Sequence, residues 1–130
     1  MNTFNGRPRV RKLTILSLFM SDILTSEQQF KEYTRAHTGV LFYFGTNSCS
    51  VGEALEPKVR DLISRKYPKL VFYFIDMNIA PELCAHCQVF VEPTILLYLE
   101  GKEFLRKSRH IGLSELDIAI NRIYNLAFED

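Results

Sequence analysis

Three cysteines carry the reactive chemistry open to this 130-residue chain, and their spacing divides them into two sites. Cys49 stands alone, between the apolar run Val40-Leu41-Phe42-Tyr43-Phe44 and a stretch of helical periodicity. A thiol at a helix N-terminus meets unpaired N–H groups and the positive end of the macrodipole, and both favour thiolate. Thiolate is the attacking species in disulfide exchange, so the position suits a nucleophile; it equally admits an ordinary small residue at a helix start. Cys84-Ala85-His86-Cys87 is the second site, with the spacing of a redox dithiol. Residues three apart share a helix face, which lets the sulfurs meet. The pair also fits two small apolar residues packing a helix into a core. A zinc site needs four ligands, and no second pair accompanies these two. His37, His86 and His110 show no ligand spacing with one another, so neither metal nor cofactor is expected.

The elements that must position these residues read clearly. Residues 1–20 form an N-terminal extension and 21–130 a single domain. Leu13 to Phe19 fits a strand or a short buried helix. Thr25 or Ser26 caps a helix with Gln28 or Gln29 returning the bond, and that helix ends near His37-Thr38-Gly39 with Gly39 in the left-handed conformation. Val40 to Phe44 is apolar throughout, as in a strand buried on both faces. A helix from about Ser50 to Lys66 puts Leu55, Val59, Leu62 and Ile63 on one side and is kinked by Pro57. Leu70 to Ile75 is a second apolar strand, closed by Asp76. Asn78 to Gln88 forms a short helix with Pro81 in its first turn. Thr94 to Glu100 and Glu103 to Arg109 flank Gly101-Lys102 as a β-hairpin. A last helix from Ser114 buries Leu116, Ile120, Ile123 and Ala127. The order is βαβ followed by ββα: an α/β fold with a central mixed sheet and helices on both faces.

Composition excludes several classes. Hydrophobic residues are 47% and charged residues 24%, the balance of a globular protein. A formal net charge of +1 supplies no field for nucleic acid or a membrane surface. The aromatic runs Phe42-Tyr43-Phe44 and Phe72-Tyr73-Phe74 read as core strands, because a base-stacking platform needs a basic groove beside it. Arg7, Arg9, Arg11 and Lys12 precede an apolar stretch in the manner of a secretory signal. That stretch is short, lacks a small-residue cleavage site and is closed by Asp22, so no signal is expected. Three cysteines are too few for a disulfide scaffold, which points to a reducing cytoplasm.

This order, with a cysteine after a central strand and an X-Pro-Thr opening a hairpin, resembles the thioredoxin family from about Leu24 to Tyr124. Cys49 is similar to that family's nucleophile, and Pro57 to the proline eight residues after it. Pro93-Thr94 resembles the family's cis-proline and threonine, and Gly101 and Gly112 its later glycines. The resemblance implies a thioredoxin-like three-layer α/β/α sandwich. It also implies a groove formed by Ser50, Val51, Gly52, Glu92, Pro93 and Thr94 facing catalytic Cys49. Departures accompany the likeness. Ser48-Cys49-Ser50-Val51-Gly52 replaces Trp-Cys-Gly-Pro-Cys, so the tryptophan and the resolving thiol are absent. Tyr43 stands in place of a buried aspartate, Glu92 in place of an apolar residue and Glu53 in place of lysine. Acidic Glu53 and Glu92 oppose thiolate formation at Cys49. The implied activity is thiol–disulfide exchange through one cysteine (CxxG), with a disulfide-bearing protein or glutathione as partner and Cys84 and Cys87 as an accessory redox pair. The alternative is a non-catalytic binding or chaperone-like adaptor that keeps the groove.

Overall fold

A computed structural model describes residues 23–46 and 55–128. The Leu13–Phe19 segment and the residues between Thr46 and Leu55 lie outside that range. Helix α1 spans Glu27–Ala36 and begins with a reciprocal cap: Ser26 Oγ accepts from the Gln29 N–H at 3.2 Å, and Gln29 Oε1 accepts from the Ser26 N–H at 3.1 Å. Its C-terminal residue, His37, is extended, and Gly39 opens strand β1 instead of taking the left-handed conformation. The reason for glycine here is packing. A Cβ at Gly39 would stand 2.5 Å from Leu70 Cδ2 and 3.1 Å from Leu99 Cδ2.

Strand β1 (Gly39–Gly45) is buried at every residue and forms the spine of the sheet. It pairs in parallel with β2 (Val71–Asp76) and antiparallel with β3 (Thr94–Leu99), which pairs antiparallel with β4 (Lys102–Ser108). Among the described residues the order is β2-β1-β3-β4. This puts β2 at an edge of the described sheet, and Val71 to Phe74 are half-buried although apolar throughout. The hairpin turn falls on Glu100-Gly101, one residue earlier than Gly101-Lys102. Both have positive φ, 49° and 80°, the signature of a primed hairpin turn. Non-glycine Glu100 in that conformation hides the register from sequence patterning.

Alternation along β1 sends its side chains into two cores. Leu41 and Tyr43 pack with Val59, Leu62 and Ile63 of α2 (Leu55–Lys66) and with Leu116, Ile120 and Tyr124 of α4 (Leu113–Phe128). Val40, Phe42 and Phe44 pack with Phe30 of α1 and with Leu83, Cys84 and Cys87 of α3 (Pro81–Cys87). Among the described residues two helices therefore cover each face, which is the three-layer α/β/α arrangement with a mixed sheet. Pro57 is exposed in the first described turn of α2, and the segment against which a kink would be measured precedes Leu55. In α4 the third buried position is Tyr124; Ala127 is exposed. Ala127 lines an open cavity of about 440 Å³ with Leu99, Phe104, Ile123 and Leu126.

Candidate functional site

Cys49, Ser50, Val51 and Gly52 lie outside the described residues, as does Glu53. The structure describes what stands on either side of them. β1 ends at Gly45, and Thr46 follows, three residues before Cys49. The Thr46 N–H and hydroxyl both donate to Glu92 Oε2, at 3.1 and 2.8 Å. This pair ties the end of β1 to the loop that opens β3. Sequence reading passed over Thr46, since nothing local marks a residue whose partner lies 46 positions away.

The β3 loop is held from three directions. The Glu92–Pro93 peptide bond is cis. The Pro93 carbonyl accepts from the Arg109 N–H at 2.9 Å. Thr94, paired with Phe44 across the sheet, is buried, and its hydroxyl donates to the Val91 carbonyl at 2.7 Å while lying 3.3 Å from Ser108 Oγ. Thr94 thus braces the loop from beneath, whereas Glu92 is exposed and Pro93 half-buried. Among the described residues, the backbone N–H and C=O of Glu92 make no hydrogen bond. Phe90, two residues earlier, is 75% exposed.

Cys84 and Cys87 are free thiols on α3, and both are buried in the core beneath α1 and α3. Burial pushes the Cys84 thiol up from its ordinary value. It pushes Cys87 up to about 12, against the pull of the Arg106 charge, with Cys84 and Glu103 adding to the rise. Such an environment holds sulfur as neutral thiol and opposes attack on a disulfide. The α3 C-terminus is closed by Gln88, left-handed at φ 56°, whose N–H donates to Ala85 O at 3.1 Å. Arg106 of β4 reaches the same carbonyl end, a contact with no sequence signature because its acceptors are backbone oxygens. His86 faces α1, with Nδ1 3.6 Å from Glu27 Oε1. Among the described residues no group of three or more His, Cys, Asp or Glu side chains could hold a metal ion.

A sheet spine ending beside a cis-proline loop is a fold-level feature, and comparison with known proteins gives it a family. The family model described as thioredoxin matches residues 21–122. The chain belongs to the thioredoxin family. Thioredoxin-like protein YdfQ of Bacillus subtilis (strain 168) is 26% identical over 103 residues, covering 79% of this chain and 91% of that protein. Thioredoxin-2 of Pyricularia oryzae is 29% identical over 80 residues, which span 62% of this chain and 46% of that protein. The oxidized form of mitochondrial thioredoxin 3 from Saccharomyces cerevisiae has a similar fold, with a TM-score of 0.65 and 22% identity over 78% of this chain and 95% of that one. Thioredoxin-family membership supports a general role in thiol–disulfide chemistry with protein disulfides as partners. No helix among the described residues is long and apolar enough to cross a membrane.

Proposed function

We propose that this chain performs thiol–disulfide exchange with Cys49 as its single nucleophile. The Cys49 thiolate attacks one sulfur of a partner disulfide. The partner's S–S bond breaks, a Cys49–partner bond forms, and the departing sulfur leaves as thiolate and takes a proton. With Gly52 where a resolving thiol would stand, release falls to an external thiol. That thiol attacks the partner sulfur of the mixed disulfide, frees the Cys49 thiolate and carries away the new disulfide. A reducing cytoplasm supplies such thiols, and the partner is a disulfide-bearing protein or glutathione.

The observation that carries this reading is the β3 loop. Cis Glu92–Pro93 with its Thr94 brace is tied by Glu92 to Thr46, close in sequence to Cys49. Ser50, Val51 and Gly52, next to Cys49 in sequence, are the residues the thioredoxin resemblance assigns to the same groove. The unbonded Glu92 backbone suits pairing with an extended partner segment. Burial of Cys84 and Cys87 supports a packing role for that pair over an accessory redox role.

A second reading follows from Glu92, which puts a charged, anchored carboxylate on the groove wall. This favours a non-catalytic adaptor that binds a partner in the same groove. Cys49→Ala separates the two. An exchange protein loses all formation of mixed disulfide with a disulfide-bearing peptide, followed by mass spectrometry. An adaptor retains its binding unchanged.

A further inference from the structure

The groove wall carries a charge that its described surroundings leave unneutralised. Glu92 receives both Thr46 hydrogen bonds on Oε2, so Oε1 has no partner among the described residues, and no described Lys, Arg or His forms an ion pair with it. Two exposed apolar residues gather at the same end of the sheet. β2 runs parallel to β1 and β3 antiparallel, so the residues after β2 and those before β3 share one end. Ile79, 49% exposed and bonded through its N–H to Asp76 O at 3.2 Å, lies after β2. Phe90, 75% exposed, lies before β3. An isolated exposed apolar residue needs no explanation, but two at the sheet end that also carries the Glu92 carboxylate and the Glu92 backbone, unbonded among the described residues, describe a recognition surface.

We propose that Glu92 and Phe90 select the partner of this groove: an extended segment with Lys or Arg beside its reactive sulfur and an apolar residue nearby, in preference to anionic disulfides such as glutathione disulfide. The inference rests on the proposed docking of a disulfide-bearing partner along the Glu92 backbone. Charge complementarity at such a rim decides which partner binds more than how tightly any one does. Arg109, whose backbone N–H meets the Pro93 carbonyl, brings a residue of the opposite charge into the neighbourhood. It follows β4, however, one strand beyond the backbone with which the partner pairs. Glu92 belongs to the very residue whose backbone the partner pairs with, and its charge sets the preference.

The test uses the full chain and two extended peptides that differ only in Lys or Glu beside a central cysteine. Versions with Ser for Cys report binding by fluorescence anisotropy, and versions activated as thiopyridyl disulfides report exchange. At low salt the Lys peptide binds about three- to tenfold more tightly than the Glu peptide, the range open to exposed charges. Added salt shrinks the gap. Glu92→Gln, which keeps an oxygen to accept from Thr46, abolishes it, and Phe90→Ser weakens both peptides alike. Equal binding of the two peptides, or a gap that survives Glu92→Gln, overturns the selection. A gap in binding with no exchange by either activated peptide upholds the selection and overturns the exchange reading instead.

Discussion

The Arg106 guanidinium donates from Nη2 to the carbonyl oxygen of Cys87 at 2.8 Å. Nη1 donates to the Gln88 carbonyl at 3.1 Å, and Glu103 holds the other edge of the guanidinium through two bonds at 2.8 and 2.9 Å. A cation from β4 thus closes the carbonyl end of α3, where helix acceptors lack partners. The helix carrying both buried cysteines is locked to the sheet just before the Val89–Pro93 segment.

Removing that lock has a definite cost. Arg106→Met keeps much of the aliphatic stem and loses every donor, so it destabilises the fold by about 1–3 kcal/mol. Urea denaturation measures this. Hydrogen exchange at Gln88 and Val89, whose N–H groups donate to the Ala85 and Cys84 carbonyls, rises in the same variant, because those bonds belong to the released helix end.

Gln88 holds a left-handed conformation at φ 56° and is exposed. Gln88→Gly removes the Cβ penalty of that conformation and stabilises by about 0.5–1 kcal/mol. Thermal denaturation of the two proteins side by side gives the sign.

Gly39 behaves oppositely. Gly39→Ala forces a Cβ against the buried ends of Leu70 and Leu99 and costs about 1–3 kcal/mol as overpacking. A left-handed glycine would be strained by the same change with no dependence on its neighbours. Shortening Leu70 to Val therefore rescues part of the Gly39→Ala loss if packing is the cause, measured as a double-mutant cycle.

The Cys87 thiol sets an alkaline limit on stability. Its folded pKa, pushed up to about 12 by burial, lies above the value for a free thiol, so the unfolded chain loses this proton first. The Cys87 contribution is complete at neutral pH and declines as pH rises from about 9 towards 12. Tyr33 and Tyr98, also raised to about 12 by burial, act in the same direction. Denaturant midpoints taken across this window fall with pH, and less steeply in Cys87→Ala.

Much of the architecture is legible in the chain because local patterns and burial agree. The unbroken run from Val40 to Phe44 fits the strand covered on both faces that it forms, and the cap signal at Thr25 or Ser26 with Gln28 or Gln29 marks the start of α1, where the structure uses Ser26 and Gln29. Ambiguity enters wherever tertiary placement decides. Val71 to Phe74 is as apolar as β1 yet sits at an edge of the described sheet, a difference set by strand order and not by composition. Gly39 carries a turn signal, but Leu70, thirty-one residues away, supplies its actual constraint. The candidate site divides in the same way. Pro93 and Thr94 stand out as a motif, while Thr46 and Arg106 act through partners distant in sequence or through backbone oxygens. Spacing leaves Cys84 and Cys87 open to a dithiol or to core packing; the packing of α3 against α1 and the sheet shows them to be buried.

The most direct test is the pH dependence of alkylation at each cysteine of the native, reduced protein, resolved by mass spectrometry. Exchange through Cys49 requires that this residue react fastest, with a midpoint clearly below the free-thiol value of about 8.5. Cys84 and Cys87 should stay protected until the protein unfolds. A Cys49 that reacts no faster than a free thiol, or a Cys84 or Cys87 that reacts first, contradicts a single nucleophile at Cys49.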